Sequence, residues 1–145
     1  MTNGETLQRI FYREFLLEPY QRTIEVAKEC GVRVFDVDSD GNVEALLPLW
    51  LQAGVNMNHP CEVAAGVDVV DLKRTYGEKL VVHGGIDKRA VAAGRDAIDC
   101  EMERIRPAYE LGGYIPHVDH SVPPDVSWDN YRYYSDRRWR LVGKE

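Results

Sequence analysis

Asp36, Asp38 and Asp40 occupy alternate positions of one short segment. Alternate side chains of a β-strand share a face, so these carboxylates would repel one another unless a cation lay between them. One interpretation is a hard metal ion, or one carboxyl that stays protonated as an acid. The other is that Ser39, Asp40 or Asn42 caps a helix that follows. The pattern leaves both interpretations open.

His59 opens a second cluster, which also contains Cys61 and Glu62. The imidazole of His59 could carry protons or clamp a ligand, or it could be buried and bonded to a neighbouring carbonyl. A nucleophilic role for Cys61 has little support, because no residue that would activate the thiol is close in the sequence.

Two adjacent glycines, Gly84 and Gly85, follow His83. They allow the backbone to come close to a ligand or to a neighbouring strand, but the spacing of a phosphate-binding loop is absent. Asp87 is predicted to cap a turn that begins at Lys88. His83 is predicted to be a core histidine with its hydrogen bonds satisfied.

The most distinctive segment runs from Gly113 to His120, GYIPHVDH. Its residues His117, Asp119 and His120 could bind a metal or pass protons to a substrate. The alternative is a rigid loop with solvated histidines. Ser127 is predicted to cap the last helix.

Short apolar runs predict four strands that position these side chains, and a glycine ends the helix before each strand. The strands span about 32–38, 55–59, 80–84 and 113–117. The helices span about 1–30 (kinked or split at Pro19), 43–53, 67–76, 95–111 and 127–140. Such runs are typical of buried parallel strands. The repeat predicts an α/β fold, either a doubly wound sheet or an arc of a barrel, with every histidine near the carboxyl edge.

The composition favours a globular domain without a nucleic-acid or membrane partner. The chain has 145 residues, 44% of them hydrophobic, and a formal net charge of −6. This acidic balance argues against binding to nucleic acid or to anionic membranes. The basic, aromatic tail at residues 128–140 is predicted to be a helix packed on the sheet through Tyr131, Tyr134 and Trp139. Three scattered cysteines and no signal sequence at the start lead us to expect a cytoplasmic protein.

Several segments together resemble the uroporphyrinogen decarboxylase superfamily, which also includes cobalamin-dependent methyltransferases that act on small methylated compounds. They are YREFLLEPYQRTIE, DSDGN with EALLPLWLQAGVN, HGGIDKR and GGYIPHVDHSVPPDVSWDNYRYY. The resemblance covers roughly residues 10–137. It implies the C-terminal half, (β/α)4, of a TIM-type (β/α)8 barrel, with four parallel strands and an N-terminal helix.

The resemblance also implies roles for individual residues. His120 falls on the histidine beside the bound tetrapyrrole in the decarboxylases, and it is the predicted catalytic residue. Asp38 and Asp40 fall where the methyltransferases keep a zinc-binding His-x-Cys, and His120 falls on another of their zinc ligands. Asp38, Asp40 and His120 are therefore the candidate ligands of a harder divalent metal. Substrate is predicted to be bound by side chains at the same edge: Asp38, Asp40, His59, Glu62, Asp87, His117 and Asp119.

The resemblance places the family's catalytic aspartate, and the arginines that hold substrate carboxylates, in the other half of the barrel. We therefore expect one domain, residues 1–145, that is completed by a second copy or by a separate N-terminal half. The predicted function is that of a decarboxylase-like lyase of porphyrin biosynthesis, acting on a tetrapyrrole without a cofactor. The alternatives are a corrinoid-dependent methyltransferase with an altered metal site and a methylated substrate, or a non-catalytic binding module.

Overall fold

Four parallel strands form a single sheet in the structure, a computed structural model that describes residues 7–143. The strands are β1 (Asp36–Asp38), β2 (Met57–His59), β3 (Val81–Ile86) and β4 (Tyr114–Val118). Their order in the sheet is their order in the chain. A doubly wound sheet reverses its strand order at a switch point, whereas a barrel adds each strand beside the last. The predicted α/β fold is confirmed, and the strand order is that of half a barrel.

Seven α-helices lie before, between and after these strands within residues 7–143. They are α1 (Leu7–Phe11), α2 (Leu17–Glu29), α3 (Leu47–Ala53), α4 (Val69–Tyr76), α5 (Lys88–Ala93), α6 (Arg95–Glu110) and α7 (Trp128–Leu141). Short 3-10 turns cover Val63–Ala65 and Gly77–Lys79. None of the helices in this part of the chain has the length and apolar character needed to cross a membrane.

The N-terminal helix continues past Pro19, the residue at which a kink or split was predicted. Residues Tyr12–Leu16 form a π-helical turn between α1 and α2. Pro19 lies in the first turn of α2, where the absence of an N–H is tolerated. The helix is therefore interrupted by a π turn upstream of the proline. Residues 1–6, the predicted start of this helix, lie outside the described residues.

Two predicted boundaries were wrong. Strand β1 begins at Asp36 instead of residue 32, because the side chain of Asn56 binds the preceding backbone: Oδ1 accepts from Phe35 N at 2.8 Å and Nδ2 donates to Arg33 O at 2.7 Å. Helix α3 begins at Leu47 instead of residue 43, because Pro48 has no N–H to give to an earlier turn. The other long helices lie close to their predicted bounds. The short helix α5 was predicted only as a turn at Lys88.

Within residues 7–143, helices cover one face of the sheet and leave the other open, which corrects the prediction of buried strands. Helices α4 and α6 pack against β3, and α6 also packs against β4. On that face Val82, Ile86 and Val118 are buried. On the opposite face Ile115 is 45% exposed, because no helix of the described residues lies over it. In a closed barrel this second face would point to the interior.

The last helix also packs differently from the prediction. Helix α7 contacts α5 and α6. Of the three aromatic residues assigned to the core, only Tyr134 is buried, whereas Tyr131 and Trp139 are exposed. The predicted cap is confirmed, since Asn130 N donates to Ser127 Oγ at 3.2 Å.

Candidate functional site

A cleft of about 450 Å³ lies at the carboxyl end of the sheet and contains every histidine of the chain. It is lined by Asp38, Asp40, His59, Pro60, His83, Gly84, His117, Val118, His120 and Ser121. The structure thus brings together five of the predicted site residues, which are Asp38, Asp40, His59, His117 and His120. No lysine or arginine of the described residues is among those that line it.

Three of the histidines form a row across β2, β3 and β4. Asn58 pairs with Val82, which places His59 and His83 side by side, and His117 lies two residues beyond the partner of His83 on the same face. The ring centroids are 5.4 Å apart between His59 and His83 and 5.3 Å apart between His83 and His117. The row lies on the open face of the sheet because side chains alternate along each strand.

His59 lies between two of the three alternating aspartates. Its Nδ1 is 2.7 Å from Asp36 Oδ2 and its Nε2 is 3.4 Å from Asp38 Oδ1. The first contact has the distance of an ion pair, but its N–H is not aligned as a hydrogen bond requires. Only the imidazolium has an N–H on both nitrogens, so this is the form that could face both carboxylates favourably. The structure thus places the imidazole of His59 between Asp36 and Asp38.

The prediction that His83 is a satisfied core histidine was wrong. Its ring lines the cleft, and its buried Nδ1 has no hydrogen-bond partner within residues 7–143. Burial lowers the pKa of His83, and the neighbouring His117 and His59 lower it further. Sequence reasoning missed this residue. The available signal was that His83 falls at the strand position adjacent to His59 in a parallel sheet.

His117 has one ring nitrogen held by the backbone. Its Nδ1 is 2.9 Å from the carbonyl oxygen of Val118. A carbonyl oxygen can only accept, so we assign the proton to Nδ1 from this contact. In the neutral ring, Nε2 is then the unprotonated nitrogen.

Glu62 lies beside this cleft and is held by two donors. Gly41 N donates to Oε2 at 3.1 Å, and Lys88 Nζ lies 3.2 Å from Oε1. The Gly41 hydrogen bond and then the Lys88 ammonium hold the pKa of Glu62 below its usual value, and His120 contributes in the same direction. Asn42 also makes a local turn, because its Oδ1 accepts from Glu44 N at 3.1 Å.

Asp119 directly follows strand β4 and is 0% exposed. Its Oδ2 accepts from Val63 N at 2.9 Å and its Oδ1 accepts from Lys88 N at 3.0 Å. It therefore joins the end of β4 to the loops that follow β2 and β3. Asp87 caps α5 by accepting from Arg89 N at 2.8 Å, as predicted. The Arg89 side chain, through its hydrogen bonds to Asp87, lowers the pKa of Asp87. That Asp119 and Asp87 bind substrate stays a prediction.

A half-buried ionic cluster at the turn after β3 was missed by sequence reasoning. Arg104 donates to Gly85 O at 2.6 Å, to Glu101 Oε1 at 2.6 Å and to Asp68 Oδ2 at 3.1 Å. Glu101 also accepts from Asp87 N at 2.8 Å. These contacts hold the turn after β3 in place.

Cys61 is unsuited to nucleophilic attack. The side chain is buried, and burial raises the pKa of Cys61 to about 12. The neighbouring glycines serve strand packing: a Cβ on Gly84 would lie 1.9 Å from Pro60 O, and one on Gly85 would lie 2.1 Å from Val69 Cγ1.

The candidate metal ligands share one cleft but do not form a metal site. Asp38, Asp40 and His120 line the same cleft. Within residues 7–143, however, no three histidine, cysteine or carboxylate side chains are arranged to hold a metal. The cleft also lacks the thiolates that suit zinc. The residues present therefore do not fit the metal-dependent methyltransferase alternative.

Comparison with known proteins agrees with this geometry. The family model of uroporphyrinogen decarboxylase (URO-D) matches residues 2–139. No individual curated protein matches the chain.

Proposed function

The chain belongs to the uroporphyrinogen decarboxylase family, and on that premise we propose that its histidine-lined cleft is one wall of a carboxy-lyase active site. In such a reaction the bond from carbon to carboxylate breaks, carbon dioxide leaves, and the electron pair stays on the carbon. A proton must then replace the carboxylate. The observation that carries the proposal is the convergence of four imidazoles on one cleft at the carboxyl ends of parallel strands.

The proposed substrate is a tetrapyrrole whose pyrrole N–H groups face this wall. Asp38 and Asp40 line the cleft and can accept from such donors. The same aspartates would repel the carboxylates of the substrate. We therefore assign His120 to a position beside the ring system and place the cations that hold the carboxylates on a different wall.

That second wall is proposed to come from another polypeptide segment, either a second copy of the chain or a separate half-barrel. Within the described sheet, β1 and β4 each have one neighbouring strand, so two edges are free to pair. Ile115 on the open face and Phe11, Phe15 and Leu16 on the N-terminal helix are exposed apolar side chains that a partner could cover.

Light scattering tests self-association. A particle of twice the chain mass of 16.6 kDa is expected, and Ile115→Asp should reduce it to the monomer. Val122→Asp is the matched control, because Val122 is equally exposed but lies in the loop after β4. A folded monomer at all concentrations would exclude a second copy and leave a separate half-barrel as the partner.

The activity test is incubation with uroporphyrinogen, with products identified by mass spectrometry as losing carbon dioxide stepwise. We expect turnover by the assembled protein and its loss in His120→Asn. The control is Asp125→Asn, at an exposed loop position outside the cleft. Uroporphyrinogen binding without product, in an assembly of confirmed completeness, would favour a non-catalytic binding module.

A further inference from the structure

The four cleft histidines differ in what their ring nitrogens contact. His59 has a carboxylate at each nitrogen, Asp36 at Nδ1 and Asp38 at Nε2. No ring hydrogen bond joins His120 to the rest of residues 7–143. His117 alone combines one anchored nitrogen with a second nitrogen left for a ligand.

The anchor decides which atom of His117 gains and loses the proton. Val118 O accepts from Nδ1 whether the ring is neutral or cationic, because a carbonyl oxygen has no proton to give. The exchangeable proton is therefore on Nε2. The ring is exposed on the open face of β4 and lines the cleft, so a ligand can reach it.

We propose that His117, through Nε2, delivers the proton that replaces the departing carboxylate, with the Val118 carbonyl and His83 as positioning groups. This inference rests on the proposed carboxy-lyase function. It adds His117 to the proposed site as the proton donor, while His120 keeps its proposed position beside the substrate.

The proton transfer balances without a cofactor. As the carbon–carboxylate bond breaks, its electron pair stays on carbon and takes the proton from Nε2. The imidazolium becomes a neutral imidazole that keeps Nδ1–H on Val118 O. Solvent returns a proton to Nε2 through the open side of the cleft.

His83 contributes by being uncharged beside the donor. Its ring is 5.3 Å from that of His117, edge to face. Burial and the adjacent His117 and His59 lower the pKa of His83. A second imidazolium at this distance would drive the proton off His117, and a neutral ring avoids that repulsion. The other charged group that faces His83 is Asp36, which acts in the opposite direction.

The first test is nitrogen NMR of the histidine rings, which needs no substrate. We expect His117 to carry its proton on Nδ1 when neutral. A His117 protonated at Nε2 when neutral would overturn the proposal whatever the activity of the protein.

The second test compares His117→Asn and Asp125→Asn in the uroporphyrinogen assay. Asparagine keeps a short donor that can reach the carbonyl of Val118 but has no group at the position of Nε2. Turnover should fall by about 10²- to 10⁴-fold, the usual contribution of a positioned acid. The far-ultraviolet spectrum should be unchanged, and Asp125→Asn should match wild type.

The pH profile separates proton donation from structural support. The limb of the rate profile that reports a catalytic acid should vanish in His117→Asn and shift in His83→Gln. Wild-type turnover and an unchanged profile in His117→Asn would overturn the proposal. No turnover in any variant, wild type included, would contradict the proposed function and leave the NMR result to decide the protonation state alone.

Discussion

Val81 and Val82 are neighbours on strand β3, yet they belong to different environments. Val82 is 0% exposed on the face covered by α4 and α6, whereas Val81 is half-buried on the open face beside the histidine row. The covered face holds apolar side chains, among them Val82, Ile86 and Val118. The open face holds Asp36, Asp38 and the histidines, and the buried Nδ1 atoms of His59 and His83 make no hydrogen bond within residues 7–143. One sheet thus separates the part that stabilises the fold from the part that can bind and react.

The largest effect is expected from Gly84→Ala, at the point where β3 passes close to the backbone that follows β2. The new Cβ would lie 1.9 Å from Pro60 O, and the φ of +109° disfavours any side chain. We expect a loss of about 4 kcal/mol or more, combining overpacking with backbone strain, which would leave most of the protein unfolded. Urea denaturation measures this loss in the free energy of unfolding. Gly112→Ala is the control, because its φ is +77° but nothing lies within 4 Å, so only about 1 kcal/mol of backbone strain is expected. Equal losses in the two variants would contradict the close approach of β2 and β3.

Asp119→Ala tests the polar support between the two faces. The substitution leaves the N–H groups of Val63 and Lys88 without their buried acceptor. We expect a loss of about 3 kcal/mol in the free energy of unfolding, from two charge-assisted hydrogen bonds. Asp125→Ala, at an exposed aspartate of the following loop, should change stability by less than about 0.5 kcal/mol. If both variants were equally stable, Asp119 would be free for the substrate contact that the sequence predicts.

The sequence predicted what local chemistry determines. A helix that ends on a glycine predicts a positive φ, which Gly31, Gly54, Gly77 and Gly112 all adopt. Apolar runs with short turns predict parallel strands. Because each histidine lies at or just after the end of a strand, the histidines are then predicted to lie at the carboxyl edge of the sheet. The errors come from contacts between distant segments. Asn56 shortens β1 from 21 residues away, and Asp119 reaches Val63 across 56 residues. The pattern of residues within a strand does not say which face the helices will cover.

The paired substitutions Val82→Ala and Val81→Ala compare the faces most directly. Removing two methyl groups from the covered face should cost about 2 kcal/mol, whereas the half-buried position should cost about 0.5 kcal/mol. Thermal unfolding at low protein concentration gives both values. The comparison becomes sharper when concentration is raised. If a second copy covers the open face, the cost of Val81→Ala should increase with concentration while that of Val82→Ala stays constant.

The smallest effect concerns the charge state of the open face. His83 has a pKa below its usual 6.5, mainly because of burial. The unfolded chain therefore binds more protons than the folded chain between the lowered pKa and 6.5. The free energy of unfolding should rise with pH across that window and be lower beneath it.

His83→Gln removes the titrating ring and should flatten this slope. Urea titrations kept above about pH 5 avoid the carboxylates, whose protonation would add a slope of its own. Val81→Ala is the control, because it lowers stability without removing a titrating group and should keep the wild-type slope. If His83→Gln kept that slope as well, the burial of the His83 ring would have no consequence for the stability of the fold.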